Sequence, residues 1–309
     1  MEVLIQQVVN GLVLGSVYAL IALGYTMVYG ILQLINFAHG DVLMVGALTA
    51  LSVIKLVLGF APDTPGWTLM LIGAGAAIPV CMLLNVFIER VAYRPLRNAP
   101  RLAPLITAIG VSIVLQTVAM IVWGRNFHVV PQLLPAAPMK LGPVLITPTQ
   151  LTIIIVSALV MLGLVLLVEK TKLGRAMRAT AENPRVAGLM GVDSNRVIVA
   201  TFALGAALAA IAGILLAANY YTAHFSMGFM PGLKAFTAAV LGGIGNIYGA
   251  MVGGLILGLV ESIGAGYIGT WTGGVLGSHY QDIFAFVVLI IVLVFRPSGI
   301  MGERVADRA

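Results

Sequence analysis

Asp41, His39, Glu261 and Asp282 are the ionisable residues closest to long apolar runs, so the sequence is read from them outward. A charge held in apolar surroundings is costly unless it faces a cavity or a partner. Catalytic constellations do not assemble around these four. The histidines His39, His128, His224 and His279 show no metal-ligand spacing, so no metal is expected. No G-x-x-x-x-G-K-[ST] loop is present to cradle a phosphate, and no H-E-x-x-H is present to hold zinc. No Ser or Cys stands beside a recognisable base in the sequence, although separate helices can bring such groups together. The one cysteine, Cys81, excludes an intrachain disulfide. A binding or conducting role fits better than an enzyme.

Composition says what must position these residues. The chain is 60% hydrophobic with only 9% charged residues, where a soluble domain carries roughly 25%. Its mean hydropathy is +1.06. So little charge cannot cover a water-facing surface. In lipid every backbone polar group must be paired internally, which leaves helices or a closed barrel. The run "LTIIIVSALVMLGLVLLV" (151–168) is continuously apolar and lacks the alternation of a barrel strand. The expected fold class is all-α, a polytopic transmembrane helical bundle in one domain over 1–309. The start, "MEVLIQQVVNGLVLG", has no basic leader and reads as retained, not as a signal peptide.

The formal charge of +6 is unevenly placed. Thirteen of the seventeen Lys and Arg residues fall in three regions: Arg90 to Arg101, Lys170 to Arg196, and Arg296 to Arg308. Basic residues concentrate in cytoplasmic loops, which argues against nucleic acid and places these regions inside the cell. The stretch 125–149, with Pro131, Pro135, Pro138, Pro143 and Pro148, then faces outward. Apolar stretches near 6–30, 41–58, 67–88, 102–122, 150–168, 197–217, 229–245, 247–265 and 281–295 give about nine crossings. Short and Gly-interrupted stretches leave eight or ten open. The N-terminus is expected outside and the C-terminus in the cytoplasm.

Two stretches are interrupted. Residues 32–50 place Asn36, His39, Gly40 and Asp41 in apolar context, and 229–254 carry Pro231, Lys234, Gly242, Gly243 and Gly245. Broken helices of this kind line a path in many transporters, and small residues equally let packed helices approach. Asn36, His39, Asp41, Gly242, Gly243, Gly245 and Glu261 are the candidate translocation-path or gate residues. Glu261 has a second reading, a hydrated carboxylate at the outer end of its helix. Asp41 has one too, as an acidic residue in an ordinary first turn. Asn36 and Gln116 can hydrogen-bond between helices.

The segment "AENPRVAGLMGVD" (181–193) is polar, yet it lies between very apolar stretches. Before it, Leu173, Ala176, Met177 and Thr180 repeat at helical spacing, opposite Arg175 and Arg178. Asn183 is a good N-cap, Pro184 suits the first helical turn, and Gly191 suits a left-handed end. Val186, Ala187, Leu189 and Met190 form an apolar stripe on a helix too short to stand alone in water. Such a stripe fits a groove in another protein or the lipid headgroups. The residues alone leave both open.

"ATAENPRVAGLMGVDSNRV" (179–197) resembles the cytoplasmic coupling loop of ABC-importer permeases of the branched-chain amino-acid family. "LINFAHGD" (34–41), "RPLRNAPRLAPLITAIGVS" (94–112) and "AVLGGIGNIYGAMVGGL" (239–255) resemble that family in the same order. The length is similar to that of the shorter of its two membrane subunits. The resemblance implies a coupling loop at 170–196, in which Glu182, Asn183, Pro184, Ala187, Met190 and Gly191 belong to the helix that docks on an ATPase. It implies a second permease subunit, two cytoplasmic ABC ATPases and an external solute-binding protein as partners, in a bacterial inner membrane. It implies no cofactor on this chain, with ATP used by the partner ATPases, and import of leucine, isoleucine, valine or related amino acids. Rival expectations are a permease for urea, amides or aromatic acids, and an ion-coupled transporter that works alone.

Overall fold

A computed structural model describes residues 2–97, 99–100, 102–135, 137–142, 144–275, 277 and 280–302. Arg101, Pro143, His279, Arg304 and Arg308 lie outside the described residues. The chain is an all-α polytopic bundle. Its helices are α1 (Glu2–Leu32), α2 (His39–Phe60), α3 (Gly66–Ile88), α4 (Leu102–Trp123), α5 (Pro148–Lys170), α6 (Lys172–Glu182), α7 (Pro184–Leu189), α8 (Ser194–Tyr220), α9 (Phe229–Gly242), α10 (Ile247–Trp271) and α11 (Asp282–Phe295). Past Ile88, α3 runs on as a π-turn over Glu89–Tyr93 and a 3-10 turn over Arg94–Leu96. Among the described residues, seven segments are long and apolar enough to cross a membrane; α9 and α11 are shorter, at 14 residues each.

Side-chain caps set where many helices begin. Thr147 and Gln150 form a reciprocal capping box before α5, with Pro148 at its first position. Thr171, Asn183, Asp193 and Asn246 cap α6, α7, α8 and α10. Each carries a side-chain oxygen that takes up otherwise orphaned backbone N–H groups.

The centre of the bundle is an antiparallel seam between α1 and α10. A Cβ on Gly254 would lie 2.5 Å from the Ala19 backbone, and Cβ atoms on Gly11 and Gly15 would lie 2.8 Å from Leu259 and Leu255 backbone. Gly258 would likewise overlap the Gly15 backbone. In lipid, apolar side chains gain nothing by leaving the solvent, so close backbone packing drives helix association. Around the seam pack α8, α9 and α2, while α3, α4, α5 and α11 turn many large apolar side chains outward.

The described parts of the three basic regions meet at one end. Arg97 reaches Asn195 (2.6 Å), which joins the α3 extension to the start of α8. Tyr248 bonds Glu169, and Asn246 donates to the Met301 carbonyl (2.9 Å), which brings in the end of α5 and the C-terminal segment. At the opposite end two small sheets form, His128–Val129 with Thr222–Ala223 and Met139–Leu141 with Val144–Ile146.

One ionic cluster ties the two short helices to the seam. Lys234 of α9 contacts Glu261 of α10 at 2.6 Å and Asp282 of α11 at 2.5 Å. Tyr18 of α1 donates to the other Glu261 oxygen at 3.0 Å. The Glu261 side chain is fully buried. At 1.5 Å rise per residue, Tyr18, Glu261 and Asp282 each stand about 20 Å from the basic end, measured from Leu32, Ile247 and Phe295.

Two predictions follow from this packing. Gly258→Val should lower stability by about 3 kcal/mol or more, because backbone lies where its side chain must go. Gly75→Ala, where space is open, should stay within about 1 kcal/mol of the parent, as read by thermal denaturation in detergent. Lys234→Met should cost about 3–5 kcal/mol by stranding a buried carboxylate, and adding Glu261→Gln should recover most of that loss. A double variant as unstable as the single would remove the ion pair from the account.

Candidate functional site

The stretch 33–41 is built as a re-entrant turn. Gln33 takes a left-handed conformation (φ 52°) and ends α1. Residues 33–36 leave the helix and 37–38 form a turn, and the chain folds back along the bundle. His39 opens α2 directly against Gly24, where any Cβ would collide with its ring. Gly24 lies eight residues before Leu32, so α2 begins about 12 Å inside the basic end. The expected crossing near 41–58 is thus a helix that starts within the bundle. It runs beyond the expected stretch, to Phe60.

The candidate path residues divide into three places. Asn36, His39 and Asp41 sit together at this re-entrant start, and all three are buried. Tyr93, in the π-turn, donates to Asn36 Oδ1 at 2.7 Å. Tyr25 packs edge-on to His39, with centroids 4.9 Å apart. Asp41 Oδ1 accepts from Gln116 Nε2 at 3.0 Å, and the same nitrogen reaches Ser112 Oγ at 3.3 Å. Glu261 lies elsewhere, in the Lys234 cluster. Gly242, Gly243 and Gly245 form the tight α9–α10 turn at the basic end. Gly243 and Gly245 have φ of +106° and +100°, which a side chain would strain. The C-terminal segment packs on this turn, with Ile300 and Met301 N–H groups donating to the Leu241 and Gly242 carbonyls at 2.9 Å.

Beside Asp41 the bundle opens into two hollows that share Phe229 as a wall. One, of about 260 Å³, is lined mainly by Tyr25, Phe37, Ile109, Ser112 and Leu233. The other, of about 360 Å³, is lined by Gln116, His224, Ser226 and the residues opening α9. Burial holds the His224 imidazole below its ordinary pKa, so it meets the hollow as a neutral ring near pH 7. Gly40 meets Gly228 and Gly232 backbone to backbone, which sets the N-terminus of α9 against the start of α2. The cleft is therefore mostly apolar, with a few hydroxyl, amide and imidazole groups. Among the described residues no group of three or more His, Cys, Asp or Glu is placed to hold a metal ion.

The candidate docking residues lie at the basic end. Asn183 Oδ1 accepts from the Arg185 and Val186 N–H groups (3.0 and 3.1 Å), Pro184 opens α7, and Gly191 is left-handed at φ +84°. Glu182 closes α6 and is exposed. The apolar stripe is split: Ala187 turns into the protein, whereas Leu189 and Met190 are 87% and 81% exposed and Val186 is half-exposed. On α6, Met177 and Thr180 are buried.

Sequence reasoning missed the polar groups that complete these sites. Tyr18 and Tyr25 sit in an apolar run with no distinguishing signal. Ser112 precedes Gln116 by one helical turn, a spacing that does pair them. Glu89, fully buried, is met by Arg97 across the π-turn, and a π-turn leaves no mark in apolar periodicity.

Residues 7–293 match the family model described as branched-chain amino acid transport system / permease component. The chain is similar to the high-affinity branched-chain amino acid transport system permease protein BraD of Pseudomonas aeruginosa, at 48% identity over 98% of this chain and 97% of that one. It is similar also to LivH of Escherichia coli K12, a permease protein of the same description, at 45% identity over the same shares. The autoinducer 2 import system permease protein LsrC of Escherichia coli K12 / DH10B is 30% identical over 73% of this chain and 66% of its own length. With seven apolar spans among the described residues and relatives that are transport permeases, this is an integral membrane protein, and the chain belongs to the branched-chain amino acid transport system permease family.

Proposed function

We propose that this chain is the membrane-spanning subunit of an ATP-driven importer for leucine, isoleucine, valine or related amino acids. Residues 1–309 act as one permease domain in the bacterial cytoplasmic membrane, with the basic end and the C-terminus in the cytoplasm. The partners are a second permease subunit, two ABC ATPases and an external solute-binding protein. The chain binds no cofactor and catalyses no reaction; ATP is used by the ATPases. Asn36, His39, Asp41 and the cleft beside them lie on the translocation path. The Gly242–Gly245 turn and Glu261 hold the helices that border it.

The observation that carries the reading is the capped, six-residue α7 with Leu189 and Met190 bare at the basic end. Two large apolar side chains on so short a helix need a cover, and a groove in an ATPase supplies one. Glu182, Asn183, Pro184, Ala187 and Gly191 shape that helix, and Met190 enters the groove. The similarity to an autoinducer 2 importer favours one second reading, a permease of the same build for another small solute. The ligand of the external binding protein separates the two.

Met190→Asp tests the docking. A carboxylate forced into an apolar groove costs about 2–7 kcal/mol if unpaired, so ATPase co-purification and ATP-dependent leucine uptake should both collapse while the chain still inserts. Arg185→Gln should be mild, because an exposed charge at a rim contributes about 1 kcal/mol or less. Full ATPase binding and full uptake by Met190→Asp would refute the docking role, and would be expected if the stripe touched only lipid headgroups.

A further inference from the structure

Among the described residues, Asp41 differs from the other buried carboxylates. Glu89 meets Arg97, and Glu261 meets Lys234. Asp41 is 1% exposed and is met by the neutral Gln116 amide. No Lys or Arg among the described residues forms an ion pair with it; the pairs present are Arg97–Glu89, Arg196–Asp193 and those of Lys234. A carboxylate in this position has a standing deficit of positive charge.

The geometry makes that deficit available to the cleft. Gln116 Nε2 is occupied by Asp41 Oδ1 and Ser112 Oγ. Its Oε1 is thereby left as an acceptor, with the Asp41 charge directly behind it. Gln116 lines one hollow and Ser112 the other, one helical turn apart on α4. Opposite them stand Phe37, Phe229 and Leu233, and with Ile109, one turn before Ser112 on α4, they give an aliphatic and aromatic wall. The N-terminus of the 14-residue α9, at Gly228 and Phe229, borders both hollows with a partial positive charge, although the Phe229 N–H is taken by the Ser226 carbonyl and Pro231 has none. Ser226, with its hydroxyl near His224, stands at the same place.

We propose that this cleft is a transit site for a zwitterionic aliphatic amino acid, a proposal that rests on the permease reading above. Gln116 Oε1 and Ser112 Oγ accept hydrogen bonds from its ammonium, with Asp41 as the counter-charge. The carboxylate lies toward Ser226 and the first turn of α9, as half-helix N-termini receive anionic groups elsewhere in membrane transport. The side chain lies on the Phe37, Ile109, Phe229 and Leu233 wall. The smaller hollow, at about 260 Å³, equals roughly nine water volumes at about 30 Å³ each, and the polar groups of the solute reach into the larger one beside it, at Gln116 and Ser226. Asp41 is a positioning residue here. It holds the amide and sets the field, while Gln116 and Ser112 touch the solute.

Saturation-transfer NMR on the assembled permease–ATPase complex, without the external binding protein, tests this with three probes. Leucine carries both charges, isopentylamine only the ammonium and 4-methylpentanoate only the carboxylate. The wild type should saturate leucine and isopentylamine strongly and 4-methylpentanoate weakly. Asp41→Asn, nearly isosteric, should cut the first two signals at least tenfold and leave the third unchanged. Ile109→Trp, which fills the apolar side without touching Asp41, should cut all three, and ATPase co-purification reports whether each variant assembles. The assignment is overturned if wild type gives no leucine signal, if 4-methylpentanoate matches leucine, or if Asp41→Asn binds leucine undiminished in an assembled complex. ATP-driven leucine uptake with the binding protein present is read in parallel. Uptake without a cleft signal sinks this assignment alone. A cleft signal without uptake sinks the permease reading and leaves the site standing.

Discussion

Two helix backbones in contact, with almost no side chain between them, are what the rest of this structure depends on. Along the α1–α10 seam, Gly11, Gly15, Gly254 and Gly258 remove the Cβ atoms that would hold the helices apart. That closeness brings Tyr18 within hydrogen-bonding distance of Glu261, and Glu261 then holds Lys234. Lys234 fixes α9 and, through Asp282, α11. Both are too short to span a bilayer core of about 30 Å at 1.5 Å per residue. The seam thus determines where two partial helices end inside the bundle, and one of those ends, at α9, borders the cleft.

The distribution of buried charge follows the same division between frame and path. In the frame, carboxylates are matched with cations: Glu261 with Lys234, and Glu89 with Arg97. At the cleft, Asp41 accepts from a neutral donor of α4, the Gln116 amide, whose nitrogen also donates to Ser112. A fully compensated site would hold its own ion pair and have little use for a solute's charge. An incompletely compensated one is poised to take a charged group briefly and release it, which a conduit requires. The mixed apolar and polar lining suits the proposed path, in which an external binding protein would set most of the selectivity.

How much of this was legible depended on the kind of signal. Helix existence and the basic end were plain, because long apolar runs and clustered Lys and Arg are statements about solvent that need no partner. The cap at Asn183 was equally local, and the expected Asn183–Pro184 start and left-handed Gly191 are all present; the Asp193 cap of α8 was not read in advance. What the residues could not display was depth. "LINFAHGD" reads as the edge of a crossing, yet it is a re-entrant turn, because only the Gly24–His39 contact reveals that α2 begins inside the bundle. Glu261 could be read as a hydrated end residue until Lys234, 27 positions away, was found beside it. Ala187, one of four apolar residues on a short stripe, turned out to face its own chain, which a six-residue helix cannot announce.

At the basic end the same logic ends in an exposed surface. The seam and the ionic cluster tie α1, α9, α10 and α11 together, and α6 is anchored on the bundle through buried Met177 and Thr180. Force applied to α7 would therefore reach the helices around the cleft. The most direct measurement of this account is a photo-cross-linking amino acid placed at Leu189, illuminated in intact membranes that contain the whole transporter. The account predicts an adduct between this chain and an ABC ATPase subunit, with a changed yield when ATP is trapped. Adducts with lipid alone, in membranes where the ATPase is assembled, would contradict it.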